Sequence, residues 1–338
     1  TDKAVTLKVW GAQEDQKMLE EMIGKFKEAR KDDGKTYDIS LGVVGEKDTK
    51  TKFLEDPNAA ADVFAFPDDQ MNDLLAAGAL YEITRNKQTI VSENSKGSVE
   101  AASSGDKLYA YPMTSDNGYF LYYDNSVLSA EDVKTLDGLM TAAGKAGKRV
   151  YMDISNGYYV ASFFLGAGCK VDLNASGKQT CDFNNDRGVL AGEAIKAFTA
   201  HGAFITGDDA VLTGGMGDTI CAGVSGTWNA EAIQDKLGDR YAAAKLPTFT
   251  LGSEQVQMGS FAGYKLLGVN SGTKYPVEAM DLAEFLTNEE NQLLRFRTRA
   301  MGPSNIKAAD NSEVKANIAL AALAEQNQFG TSQKNVLG

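Results

Sequence analysis

Apolar positions change period along this chain, and the changes mark out its elements. "LKVW" (Leu7–Trp10) reads as a first strand, after which Met18, Leu19, Met22, Ile23, Phe26 and Ala29 recur at helical spacing. "DDGK" ends that helix, with Gly34 as the stop. "YDISLGVV" alternates as a second strand, and "ADVFAF" is an apolar run suited to a sheet covered on both faces. Met71, Leu74 and Leu75 then share one face of a short helix that Gly78 terminates. This β-α-β-α order predicts an open α/β sheet.

"DKLYAYP" and "GYFLYYD" (Gly118–Asp124) are two further strands, and "MTSDN" between them reads as a short polar connection where the chain crosses to a second domain. That domain takes the strand "KRVYMDI" (Lys148–Ile154), the helix "YYVASFFLGAG" (Tyr158–Gly168), a hairpin turning at "NASG" and the helix "DRGVLAGEAIKAFTAHG". "ICAGVSGTW" (Ile220–Trp228) is a strand, followed at once by the helix "NAEAIQDKLG" and the strand "YAAAKLP". "FAGYKLLGV" (Phe261–Val269) returns the chain to the first domain. Helices dominate from Tyr275 onward, with Pro276 suited to a first helical position and "TNEE" (Thr287–Glu290) to a capping box. The pattern predicts two α/β lobes. Residues 1–113 form the first, rejoined by about 264–312; residues 114–263 form the second, with a helical 313–338. Crossings fall near 112–117 and 258–265.

At 338 residues the chain has room for two domains of ordinary size. Its formal net charge of -12, with no basic stripe, argues against nucleic acid as a partner. No run of eighteen or more apolar residues spans a membrane. The chain opens on "TDKAVTLKVWG", already close to a strand, as a processed or trimmed chain does. The single histidine, His201, reads as a helix-end residue before Gly202, and so scarce a residue argues against zinc chemistry and Ser-His-Asp catalysis. No metal site or cofactor is expected. Cys169 and Cys181 lie on opposite arms of the predicted hairpin, either bonded or as two thiols, and Cys221 sits in an apolar run.

"LKVWG", "ADVFAFPDDQMNDLLAAGALYEI", "KLYAYPM", "GVSGTW" and "EFLTNEENQLLRF…RAMGPSN" together resemble the extracytoplasmic solute-binding proteins of ABC sugar importers. The resemblance covers nearly the whole chain and is nearest to maltose- and maltodextrin-binding proteins of the Gram-positive lipoprotein type. It implies a periplasmic-binding-protein-like fold of two α/β lobes, which capture malto-oligosaccharide by closing about a hinge. It also implies a permease partner, an extracytoplasmic place with a lipid anchor, and a monomer.

Carried over position by position, the resemblance puts sugar contacts at Asp69 and Gln70, with Phe66 as a nearby aromatic. Many relatives have Arg where this chain has Gln70. The acid after "AYP" falls on Asp116 or Asn117, the second lobe's aromatic platform on Tyr158 with Tyr159 beside it, and the tryptophan after "SG" on Trp228. Glu14 matches a polar contact in the first loop. Relatives continue past "KNVLG" into helices with another sugar-stacking tryptophan, so either this chain is shortened or its site lacks that platform.

The residue types suit a sugar. Aromatic rings cover the C–H face of a pyranose, carboxylates accept from its hydroxyls, and an amide does both. Other readings of the same residues stay open. "PDDQ" also fits a helix N-cap, with Asp68 capping while Asp69 faces ligand. Tyr158 and Tyr159 fit an amphipathic helix, Trp228 a core, and Asp116 a solvated loop. Two carboxylates such as Asp69 and Asp116 are what a glycoside hydrolase needs, and an acidic cleft would suit a cation such as a polyamine. Another neutral oligosaccharide is the remaining alternative.

Overall fold

The computed structural model describes residues 3–336. In chain order the elements used below are β1 (Lys3–Gly11), α1 (Gln16–Ala29), β2 (Lys35–Val43), α2 (Thr49–Glu55), β3 (Val63–Pro67), α3 (Met71–Ala76), β4 (Tyr111–Gly118), β5 (Phe120–Asp124), α4 (Leu136–Lys145), β6 (Arg149–Tyr151) and α5 (Gly157–Gly166). They continue with β7 (Val171–Leu173), β8 (Gln179–Cys181), α6 (Asp186–Ala200), β9 (Phe204–Ile205), β10 (Ile220–Ser225), α7 (Ala230–Leu237), β11 (Tyr241–Ala244), β12 (Thr248–Leu251), β13 (Glu254–Gln257) and β14 (Ser260–Val269). The last are α8 (Pro276–Leu286), α9 (Glu289–Arg299), α10 (Ile318–Gln326) and β15 (Gly330–Ser332). The chain divides into two compact units, 1–116 with 263–314 and 117–262 with 315–338.

In the first unit β1 pairs in parallel with β2 along its whole length, from Lys3 opposite Lys35 to Gly11 opposite Val43. Val5, Leu7 and Val9 point inward and the residues between them point out, which is the period of two expected of a pleated strand. β3 joins β1 in parallel, and the end of β14 runs antiparallel to β3. The first four residues of β3 are all buried, because the strand is covered on both faces. Helix α1 buries Met18, Leu19, Met22, Ile23 and Phe26 as one stripe. Phe26 meets Tyr37 edge-on at 5.0 Å and Phe285 of α8 at 5.5 Å. Beside that contact Arg30 grips Asp281 through two hydrogen bonds of 2.8 Å.

The second unit has a sheet in the order β9-β6-β10-β5-β11. β6 and β10 are parallel, and β5 runs antiparallel to both β10 and β11. Its core gathers Tyr119, Leu121, Phe163, Phe198 and Phe249, with Phe163 packed edge-on against Phe249 at 5.2 Å. Gln326 of α10 ties this core together: its amide oxygen accepts from Leu246 N at 2.8 Å, and its nitrogen donates to Ser260 Oγ at 2.9 Å.

Two local expectations are corrected. "MTSDN" is strand rather than connection: it lies inside β4, and Met113, Thr114 and Ser115 are buried. Thr114 and Asp116 there are held by partners, so polarity alone misreads the segment. The "TNEE" cap is shifted by one residue. Thr287 closes α8, its hydroxyl donating to Ala283 O, while Asn288 caps α9 by accepting from Asn291 N at 2.9 Å.

Candidate functional site

The three parallel strands β1, β2 and β3 end on one edge of the first unit, and in open α/β sheets ligands gather beyond such carboxyl ends. Glu14 follows β1 on a short 3-10 turn and is exposed. Asp69 follows β3 on a second such turn; it too is exposed and has no hydrogen bond or ion pair among the described residues. A carboxylate free of protein partners keeps its lone pairs for a ligand.

The neighbours of Asp69 do other work. Asp68 is 4% exposed and accepts from Tyr264 N of β14 at 3.3 Å. Gln70 is buried as well. Its amide oxygen accepts from Lys50 N at 3.0 Å, and its nitrogen donates to Lys47 O at 2.8 Å. Gln70 therefore pins the loop before α2 and has both ends of its amide engaged, so it is framework rather than an open sugar contact. Phe66 is corrected likewise. It is wholly buried, with its ring 6.0 Å from Phe64, because β3 is covered on both faces.

Asp116 lies near the end of β4. The Thr114 hydroxyl donates to its Oδ1 at 2.6 Å, and Lys265 Nζ lies 3.3 Å from its Oδ2. Lys265 pairs through its backbone with Pro67, two residues before Asp69. The sequence signal for it was available: Lys265 is the one charged residue in the run "FAGYKLLGV". Behind the Glu14 turn, buried Asp15 is held by Arg295 at 3.0 Å and by Arg299, both from α9.

In the second unit the carboxyl ends of β6 and β10 share an edge, and the start of antiparallel β5 meets them there. Trp228 stands just past β10 and is 47% exposed. Its ring lies over Gly226: a Cβ added there would sit 2.1 Å from the indole and 2.6 Å from Gly118 O. Only glycine permits that approach. Tyr158 opens α5 and is half-buried, its ring stacked at 12° on Phe261 and edge-on to Tyr119. Burial pushes its hydroxyl above the ordinary tyrosine range. Tyr159 is buried beside it. Burial first, then Asp209 and Asp153, push its hydroxyl up to about 12, with a hydrogen bond from Ser225 opposing. Asn117 is exposed, and its side chain has no hydrogen bond among the described residues.

The first unit thus brings Asp69, Asp116 and Lys265 to the region where β3 ends, and the second gathers Tyr158, Tyr159 and Trp228 at one sheet edge. Among the described residues no cluster of three or more His, Cys, Asp or Glu side chains forms a metal site. A cavity of about 410 Å³ in the second unit lies elsewhere, among Met140, Leu190, Phe198 and Phe249.

Residues 21–322 match the bacterial extracellular solute-binding proteins. The chain belongs to that family. A galactooligosaccharide-binding protein of Bacillus subtilis (strain 168) is 26% identical over 359 residues, covering 99% of this chain and 81% of that protein. The solved structure of a maltodextrin-binding protein of L. casei BL23, without ligand, is 26% identical. It aligns with a TM-score of 0.79 over 98% of this chain and 87% of its own. An extracellular solute-binding protein of Staphylococcus aureus, solved in complex with maltose, reaches a TM-score of 0.82 over 99% of this chain and 88% of its own. At 17% identity that last likeness shows the fold alone. Together they give this solute-binding protein the two-lobed α/β fold. Family membership implies a place outside the cytoplasm, and no helix among the described residues is long and apolar enough to cross a membrane.

Proposed function

We propose that this solute-binding protein is a receptor, not an enzyme, that captures malto-oligosaccharides and delivers them to the permease of an ABC importer from a lipid-anchored position at the cell surface. The observation that carries this reading is Trp228, a 47% exposed indole at a sheet edge that also presents Tyr158. An exposed indole offers a flat, partly apolar face, and the C–H face of a pyranose is a surface that such a ring covers well. The free carboxylates of Asp69 and Glu14 supply acceptors for sugar hydroxyls, each such bond netting about 1 kcal/mol against water.

A galacto-oligosaccharide is the second reading, favoured by the Bacillus subtilis relative at 26% identity. Calorimetric titration with maltotriose and with a galactotriose tests both. Maltotriose binding that is abolished in Trp228→Ala and Asp69→Ala supports the proposal. Binding of the galactotriose alone moves the chain to the second reading, and binding of neither sugar by folded protein removes both. Incubation with maltotetraose addresses catalysis separately: intact sugar supports a receptor, and cleavage products would overturn it.

A further inference from the structure

Lys265 is an unusual residue for its place. Its neighbours on β14, Tyr264 and Leu266, are buried, and its own side chain is only 26% exposed. Among the described residues its ammonium has two hydrogen-bonding neighbours, Asp116 Oδ2 at 3.3 Å and Met301 Sδ at 3.9 Å. An ammonium carries three N–H donors, and thioether sulfur is a weak acceptor. Lys265 therefore keeps donors that have no nitrogen or oxygen partner among the described residues, at the position paired with Pro67, where the chain turns toward Asp69.

Asp116 is restrained on both oxygens, by Thr114 at 2.6 Å and by Lys265 at 3.3 Å. The contact to Asp116 engages one N–H, so the ammonium has donors to spare.

We infer that Lys265 is a ligand-contacting, specificity-determining residue: it neutralises Asp116 and keeps ammonium donors available to the hydroxyl oxygens of a neutral sugar. This rests on the oligosaccharide reading above. Asp68, Asp69 and Asp116 supply carboxylates where β3 ends, and Lys265 offsets one of them. A neutral polyol meets both acceptors and donors, whereas a cationic solute meets a fixed ammonium that repels it. Lys265 thus disfavours the polyamine-like ligand that the chain's overall charge of -12 would suggest.

The test titrates wild type, Lys265→Met and Lys265→Arg with maltotriose, a galactotriose and spermidine, and records each variant's thermal midpoint. Whichever neutral sugar the wild type binds, Lys265→Met is expected to weaken it about tenfold or more, with the midpoint nearly unchanged and Lys265→Arg retaining most of the affinity. Spermidine is expected to bind Lys265→Met better than wild type. Sugar affinity in Lys265→Met equal to wild type overturns the inference while leaving the oligosaccharide reading intact. A galactotriose bound in place of maltotriose overturns the malto-oligosaccharide reading alone, and Lys265 is then judged on that sugar by the same comparison. Spermidine bound by wild type without either sugar overturns both. A large fall in the midpoint of both variants, with affinity unchanged in the folded fraction, makes Lys265 structural and also overturns the inference.

Discussion

Arg295 and Asp15 form an ion pair of 3.0 Å in which both side chains are almost wholly buried, at 4% and 3% exposed. Burial pushes the Arg295 guanidinium below its ordinary range, and Asp15 opposes that shift. Among the described residues Arg295 Nε has no partner, so Asp15 is the main compensation for the guanidinium. Removing one member of such a pair strands the other. Asp15→Ala is expected to destabilise the protein by about 3–5 kcal/mol in denaturant unfolding, and the double variant Asp15→Leu with Arg295→Leu by less. A double variant as damaged as the sum of the singles would show that the two residues act independently.

Asp281 gives a pH dependence of known sign. Burial raises its carboxyl, but the hydrogen bonds and charge of Arg30, with Arg85 adding, outweigh burial and hold it below the ordinary 3.8. A depressed carboxyl contributes stability that is present above the unfolded value and is lost as pH falls through the folded one. Wild type is therefore expected to exceed Asp281→Asn by about 1.5–3 kcal/mol at pH 7, the range for hydrogen bonds to charged groups. The gap should begin to shrink as pH drops below about 4. A gap that widened on acidification would contradict this balance of causes.

Phe66 and Gln70 are both buried, which allows stability to be separated from affinity. Phe66→Ala is expected to cost about 3–5 kcal/mol in unfolding, as large-to-small core changes do, and Phe66→Leu less. Calorimetry on folded Phe66→Leu should leave sugar affinity within about threefold of wild type. A tenfold loss of affinity with little loss of stability would return Phe66 to the binding surface.

Much of this molecule was legible because its strands and helices obey their own periods. Val5, Leu7 and Val9 alternate, Met18 to Phe26 stripe one face, and β3 is apolar throughout, so the α/β reading needed nothing else. Site residues were harder to separate from framework. In "PDDQ" the sequence shows two acids and an amide, yet their roles diverge according to which way each side chain points off the turn. Asp68 turns in to Tyr264 N, Gln70 to the loop before α2, and only Asp69 faces out. Lys265 was hidden for the opposite reason: its chemistry was visible in the sequence, but its partner, Asp116, is 149 residues away.

The thiols offer a direct check on the second unit. Cys181 pairs across the β7–β8 hairpin with Val171, so Cys169 lies diagonal to it rather than opposite. Cys169 is also buried, with its sulfur 3.6 Å from Asn185 Oδ1, whereas Cys181 is exposed; both are free thiols, as is Cys221. Burial raises the Cys169 thiol and pushes Cys221 up to about 11, which keeps both protonated and slow to alkylate. Iodoacetamide without reductant is therefore expected to add once to native protein, at Cys181, and three times after denaturation. A single adduct after denaturation would mean that Cys169 and Cys181 are bonded, which requires the hairpin arms to shift, because a disulfide needs its Cβ atoms about 3.5–4.5 Å apart.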